Sequence, residues 1–490
     1  MQYNETKLIV FFQSLSVSEL NEFEKFIISP FFKQSRDPLP LYKILKRFHP
    51  EFTSEKLTEE NIFAEIYPDL NFSDKKSRDL FRTISSALLK VVEEFIYFSK
   101  IKEDKVLRNK TFMKELLDRD LTKYYKQYLQ SASDELDSKD SDYGEDILER
   151  FHLEKLNVRY YSHILDFENL FKYSEKSVES ISTYFLIDLF RTAKSKFLGG
   201  FGRNINSVNN TVSNLLKSLN MEMVLKNFEN TPHYFKLNFN YYTYKCLFDE
   251  NGFALFEKAK NLFFEKKSTL SRYDKCSYYA DLLNIAIFKN NYRLPEFHNE
   301  IFPIIKSIVE DRSYKISDSD FMQLDFYRNA VLYANVSKEY LWIEEFEKNH
   351  SRELIPEFRD NMKYYTLALF NYGLGNYEIS LENISKLKFD LKHFKIDVKI
   401  LMLKIYHKLN LPEQAHSLID TFKHYLNNAK ELPPPVKDRY NNFLNYYLLI
   451  TRNNNIKDKD KNEKEIIRKQ LKNDKNVYLN SWLNELIDEM

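Results

Sequence analysis

The sequence predicts an all-α protein, with a helical N-terminal head followed by an α-solenoid of stacked antiparallel helix hairpins. Three observations carry this. Only 7 of the 490 residues are glycine, against 34 tyrosines and 41 phenylalanines. Glycine usually makes up about 7% of a chain, so turns that need positive φ are few, and β-sandwiches or glycine-rich phosphate cradles are disfavoured. Apolar residues recur three and four apart, and no stretch shows the sustained alternation of a half-buried strand. Aromatic doublets return at intervals of roughly 40 residues or a multiple of that, the mark of a repeated supersecondary unit.

The length exceeds what one compact core supports, so several domains or a repeat array is expected. Hydrophobic residues form 43% of the chain and charged residues 30%, enough apolar surface for a buried core. Lys, Asn, Ile, Phe and Tyr are enriched together while Ala, Gly and Pro are depleted, as in AT-rich coding. The placement of the aromatics therefore carries more information than their number.

Residues 1–103 read as a helical N-terminal domain. Ser18 is placed to cap a helix through Leu20, Phe23, Phe26 and Ile27, ended near Pro30. Leu41, Ile44, Leu45 and Phe48 give a short amphipathic helix stopped by Pro50, and Thr58 opens another that ends at Pro68. Ser73 or Asp74 caps a long helix with the stripe Phe81, Ile84, Leu88, Val91, Phe95 and Phe98.

Residues 104–205 form a long-helix connecting region. Its segment 131–146 is strongly acidic and reads as an exposed loop. Long helices are expected over about 145–174 and 175–198. The second ends at Gly199-Gly200-Phe201-Gly202, read as a helix terminator and interdomain hinge.

Residues 206–490 form the helical-repeat solenoid. The doublets Tyr241-Tyr242, Tyr278-Tyr279, Phe326-Tyr327, Tyr364-Tyr365 and Tyr446-Tyr447 each run into a turn. The turns are Asn251-Gly252, Asn290-Asn291, Asn335 to Ser337, Gly375-Asn376 and Asn453 to Asn455, with Leu401 to Asn410 as an equivalent helix and turn. A second amphipathic helix follows each turn. One hairpin cannot bury its apolar face alone, so neighbours stack and share a continuous core. Lys457 to Lys464 reads as a solvated connector, and Val477 to Ile487, with Trp482, as a C-terminal capping helix.

Residues 364–387, YYTLALFNYGLGNYEISLENISKL, resemble a tetratricopeptide repeat. Gly375 sits at the turn, Tyr377 packs after it, and Ser380 takes the small-residue position where the two helices cross. The hairpin 401–422 is similar, with Asn410 at the turn and Ala415 at the small position. The resemblance is clearest over 364–422, and the other hairpins are similar only in pattern. It implies an α-solenoid whose concave groove binds peptides or proteins.

A fainter resemblance covers residues 41–95. The order Leu41 to Phe48, Glu59 to Pro68 and Asp74 to Phe95 is similar to the winged-helix part of bacterial activators that carry a helical-repeat domain. It implies a DNA-binding head, with Lys75, Lys76, Arg78 and Arg82 as the patch that would meet phosphate. Strands for the wing are not evident. Residues 1–100 hold 14 basic and 15 acidic side chains, a poor balance for neutralising nucleic acid.

No catalytic motif is present. The glycine loop with Arg203 follows a helix rather than a strand, so it lacks the context of a phosphate cradle. The pairs Glu149/His152 and Glu347/His350 have helical ligand spacing, but ten histidines make such coincidences expected. His407 and His416 have no third ligand nearby in sequence. Cys246 and Cys276, the only cysteines, form neither a disulfide framework nor a metal spacing. With 73 basic and 72 acidic residues there is no global footprint for nucleic acid or an anionic membrane. No signal peptide or membrane-spanning run is evident, so a cytoplasmic location without membrane insertion is expected.

These features predict a non-catalytic scaffold or adaptor that binds a protein or peptide, with no cofactor and no metal. Tyr242, Tyr279, Tyr327, Tyr365 and Tyr447 are the candidate groove residues, since tyrosine joins apolar area to a hydroxyl. Regularly spaced helix aromatics also serve as core, and that reading stands beside the groove one. The alternative function is a transcriptional regulator with a DNA-binding head and a ligand-sensing helical-repeat domain.

Overall fold

The structure is a computed structural model that describes residues 5–32, 36–138, 144–202, 211–291, 294–388, 394–454, 461–474 and 476–489. All regular structure among them is helical, and none is strand. The chain divides into two compact units, Met1–Lys139 with Leu156–Leu170, and Asp140–Lys155 with Phe171–Met490.

The first unit begins with α1 (Lys7–Ser14), α2 (Val17–Ile27), α3 (Leu39–Lys46), α4 (Glu59–Ile66) and α5 (Lys75–Glu103). The apolar run Leu8 to Phe12 builds α1, whose Ile9 and Phe12 are fully buried. Ser16, not Ser18, caps α2. Its hydroxyl accepts from the Glu19 amide at 3.2 Å, while the Glu19 carboxylate accepts from the Ser16 amide at 2.7 Å. The three-residue spacing lets each group satisfy the other's orphan donor. Thr58 caps α4 as expected, accepting from the Asn61 amide at 3.2 Å. Phe81, Ile84, Leu88, Val91 and Phe95 of α5 are buried, and Phe98 at the far end is exposed. Phe23 lies edge-on to both Tyr42 and Phe95, at 5.1 and 5.3 Å between centroids. The Tyr42 hydroxyl reaches back to the Leu20 carbonyl at 2.8 Å.

Next come α6 (Lys105–Asp118) and α7 (Tyr125–Ser138). Residues 131–138 are thus helical rather than a loop, while 139–143 lie outside the described residues. Ala132 and Leu136, four apart and buried, give α7 its packed face. Asp134 and Asp137 are exposed, while Glu135 reaches Lys105 of α6 at 3.3 Å.

The two long helices are α8 (Glu145–His163) and α9 (Phe167–Gly202). Their break falls near 165, not 174. Leu165 is left-handed at φ 58, and the Asp166 amide bonds back to the Tyr161 carbonyl at 3.0 Å, a helix-ending turn. Asp166 then caps α9 by accepting from the Asn169 amide at 3.1 Å. Gly199 and Gly200 lie inside the last turns of α9, which runs unbroken to Gly202. Arg203 is outside the described residues.

In the second unit, α10 (Thr211–Ser218) and α11 (Met221–Lys226) precede five helix pairs. These are α12 (Tyr234–Phe248) with α13 (Phe253–Lys266), α14 (Arg272–Asn291) with α15 (Pro295–Glu310), and α16 (Leu324–Val336) with α17 (Tyr340–His350). Then follow α18 (Arg359–Gly373) with α19 (Tyr377–Ser385) and α20 (Lys395–Lys408) with α21 (Pro412–Asn428). The unit ends with α22 (Pro434–Asn454), α23 (Lys461–Asn473) and α24 (Asn480–Glu489). Consecutive helices pack as hairpins, and the first helices of neighbouring hairpins also touch, as in α12 with α14 and α16 with α18. This is the all-α solenoid pattern. Lys461 to Lys464 starts α23 and is not part of a loop, whereas 455–460 lie outside the described residues.

Turns and crossings follow the residues that allow them. Gly375 takes φ 82 and Asn410 takes φ 52 at their hairpin turns. Ser380 is fully buried, with its hydroxyl on the Ala368 carbonyl at 2.6 Å, and Ala415 is buried at the matching crossing of the next hairpin. Between hairpins, Gly373 lets α17 approach α18. A Cβ there would collide with Asn335 Oδ1 and the Tyr340 ring, whose hydroxyl donates to the Gly373 carbonyl at 2.9 Å. Gly373→Ala should therefore destabilise the protein by about 1–3 kcal/mol despite alanine's better helix propensity, measured by urea unfolding. An unchanged midpoint would mean that the interface gives way freely.

Candidate functional site

The second helices cover one side of the first helices, leaving a row of faces on α14, α16, α18 and α20. The predicted groove tyrosines are mostly packed inside, although Tyr279 borders the cleft described below and Tyr365 borders a small pocket between α18 and α20. Tyr279, Tyr327, Tyr365 and Tyr447 are all buried, and Tyr242 is half-buried beside Tyr241. Tyr327 packs on Phe346, Tyr365 meets Phe394 edge-on, and Tyr447 stacks on Trp482 of the capping helix at 5.7 Å. Burial pushes the phenols of Tyr327 and Tyr447 up to about 12. These rings occupy the packing role that the spacing left open. Their partners come from different neighbours: α17 for Tyr327, the residue before α20 for Tyr365 and α24 for Tyr447.

Downstream of α14, polar side chains bridge first helices that are not adjacent in the chain. Arg328 of α16 makes a two-pronged contact with Asp397 of α20, at 2.5 and 2.6 Å. Its third nitrogen donates to Asn329 at 2.8 Å. The hydroxyls of Tyr333, Tyr365, Tyr440 and Tyr478 surround this pair closely enough to feel its charges, and burial pushes each of them up. Arg439 of α22 donates to the Asn291 carbonyl at the end of α14. The Tyr478 amide bonds to the Arg439 carbonyl at 3.3 Å.

One hairpin earlier the same row stays open. A cleft of about 630 Å³ lies between α14 and α16. Tyr273, Ser277, Ala280 and Asn284 line it from α14, at the spacing of one helix face. Asp325, Phe326 and Asn329 line it from α16, and residues 313–323 form its wall. Ser277 and Ala280 are small, which creates the hollow. Tyr279 lies beneath it, buried, with its hydroxyl on Asp311 at 2.5 Å.

The wall is fastened through Glu353. Its carboxylate takes Tyr314 at 3.0 Å, Lys315 at 2.7 Å and His350 at 3.2 Å, while its carbonyl accepts the Met322 amide at 2.8 Å. Burial alone would raise this carboxyl, but Lys315, Tyr314 and His350 outweigh it and hold the group below its ordinary value. Burial pushes the Cys276 thiol up, so it stays protonated at neutral pH and is not primed as a nucleophile.

The remaining sequence candidates lie elsewhere. Lys75, Lys76, Arg78 and Arg82 are exposed on the first two turns of α5, where Arg82 approaches Asp79 at 3.6 Å. His350 pairs with Glu353 rather than Glu347. His407 meets Glu489, and His416 meets the Pro412 carbonyl. No group of three or more metal-binding side chains converges among the described residues, and none of their helices is long and apolar enough to cross a membrane. No family model matches the chain, and neither the curated proteins nor the solved structures include a significant match to it.

Two outcomes follow. Asp397→Ala should cost about 3–5 kcal/mol in urea unfolding, because it leaves a guanidinium uncompensated in a crowded site. Glu353 is lowered on folding, so its contribution is complete above the ordinary value of 4.5 and fades as pH falls through the lower folded value. The protection of amides in 313–323, measured relative to the intrinsic exchange rate at each pH, should fall on acidification in the native chain. In Glu353→Gln that protection should already be low at neutral pH.

Proposed function

We propose that this chain is a non-catalytic helical-repeat protein that binds an extended segment of a partner protein in the cleft between α14 and α16. The observation that carries this reading is the cleft itself: about 630 Å³ of open space between the first helices α14 and α16, just upstream of the Arg328–Asp397 contact. Its α14 edge, Tyr273 to Asn284, is roughly 16 Å long at about 1.5 Å per residue. That length accepts about five residues of extended peptide at about 3.3 Å each. The lining mixes aromatic rings with the amides of Asn284, Gln323 and Asn329, groups suited to hydrogen-bonding a peptide backbone. The resemblance of residues 364–422 to tetratricopeptide repeats, a family whose grooves bind peptides or proteins, points the same way.

Ala280→Trp fills the hollow with a side chain that can lie across the exposed face. Affinity purification with the native chain and this variant tests the reading. A protein retained by the native chain and lost from the variant, whose fragment binds the purified chain one to one, is the expected result. Equal retention by both, with equal thermal midpoints, would place the interaction elsewhere.

A further inference from the structure

We infer that the cleft selects a cationic segment that also carries an aromatic or aliphatic side chain. This rests on the peptide-binding reading and concerns only which peptide. Three charged side chains line the cleft: Lys315, Asp320 and Asp325. Lys315 is already matched by Glu353 at 2.7 Å, and the neighbouring Arg272 by Asp318 at 2.9 Å. Asp320 and Asp325 are exposed, and neither enters an ion pair among the described residues. Arg272, already paired with Asp318, offsets Asp320 only in part, so the balance of charge at the opening stays negative through Asp320 and Asp325.

Asp320 is held in place. Its carboxylate accepts the Ser317 amide at 2.7 Å, which also keeps it ionised by lowering its pKa. Asp325 sits in the first turn of α16, where the helix dipole favours a carboxylate. Neither charge arises from a general acidity of the protein, whose formal net charge is +1.

The apolar half of the preference comes from the rim. Ile316 and Phe321 stand 52% and 50% exposed on the wall segment. They flank Asp320 and offer apolar surface that a ligand side chain can cover. An acidic or phosphorylated segment would be repelled by the same two carboxylates, and so would a nucleic acid backbone.

The test is a display selection of random peptides of about twelve residues on the full chain, followed by binding assays on two variants. Asp320→Asn with Asp325→Asn removes the charges at exposed positions. Ala280→Trp fills the cleft. Thermal melts confirm that both variants are folded. The expected winners are rich in Lys or Arg next to an aromatic or aliphatic residue. They should bind the double Asn variant about tenfold more weakly, lose their salt dependence there, and fail to bind Ala280→Trp. Winners lost from Ala280→Trp that lack basic residues, or that bind the double Asn variant as well as the native chain, overturn the charge preference and leave the cleft reading standing. Winners that bind Ala280→Trp normally, or a selection that enriches nothing, overturn the cleft reading itself.

Discussion

The contact between Arg328 and Asp397 decides how the second unit is arranged. It joins α16 to α20, first helices of hairpins that are not neighbours, with α18 between them. A guanidinium and a carboxylate meeting at two points allow little freedom in angle or distance. Helices held so must turn their open faces toward one another, and Tyr333, Tyr440 and Tyr478 then fill the space between them. The space between α16 and α20 is thereby occupied. What remains open is decided by where this closure stops, one hairpin upstream, beside α14.

Close approach is obtained in two different ways along the array. Within a hairpin, small residues such as Ser380 and Ala415 let the helices cross. Between hairpins, Gly373 accepts the Tyr340 hydroxyl directly on its backbone. Further upstream the device is polar. Lys194 of α9 is buried among Asn240, Thr243 and Asp281, and so ties α9 to α12 and α14. Burial lowers its pKa while Asp281 works in the opposite direction. A lysine so placed is costly unless every donor is satisfied, so it specifies register more than it adds stability.

The helical class, the hairpin order and several caps were legible because they are local. A spacing of three and four, a Thr58 before an apolar run, or a Gly375 after one needs no knowledge of distant residues. The break at Leu165 and Asp166 was also local, but Asp166 with Asn169 is a quieter signal than the three glycines near 200, which the helix absorbs. The acidic composition of 131–138 hid Ala132 and Leu136, whose spacing marked a helix. The direction of the tyrosine rings was not legible in the same way. In a doublet both residues fit a helix, and neighbouring helices decide which rings go inside; in Tyr278-Tyr279 both do. The cleft left no motif at all. Ser277 and Ala280 become a hollow only when residues 313–323 fold over them, and that depends on Glu353, a residue from the following hairpin.

The bond from Arg439 to the Asn291 carbonyl spans 148 residues of sequence. A stack of hairpins ordinarily has only nearest-neighbour contacts, so it frays from its ends and can lose repeats one at a time. Here the start of α22 is tied back to the end of α14, and α15 with the three hairpins that follow it lies between the two tied ends. No repeat between those ends is terminal. Such a closure couples the opening of the segment to contacts at both of its ends.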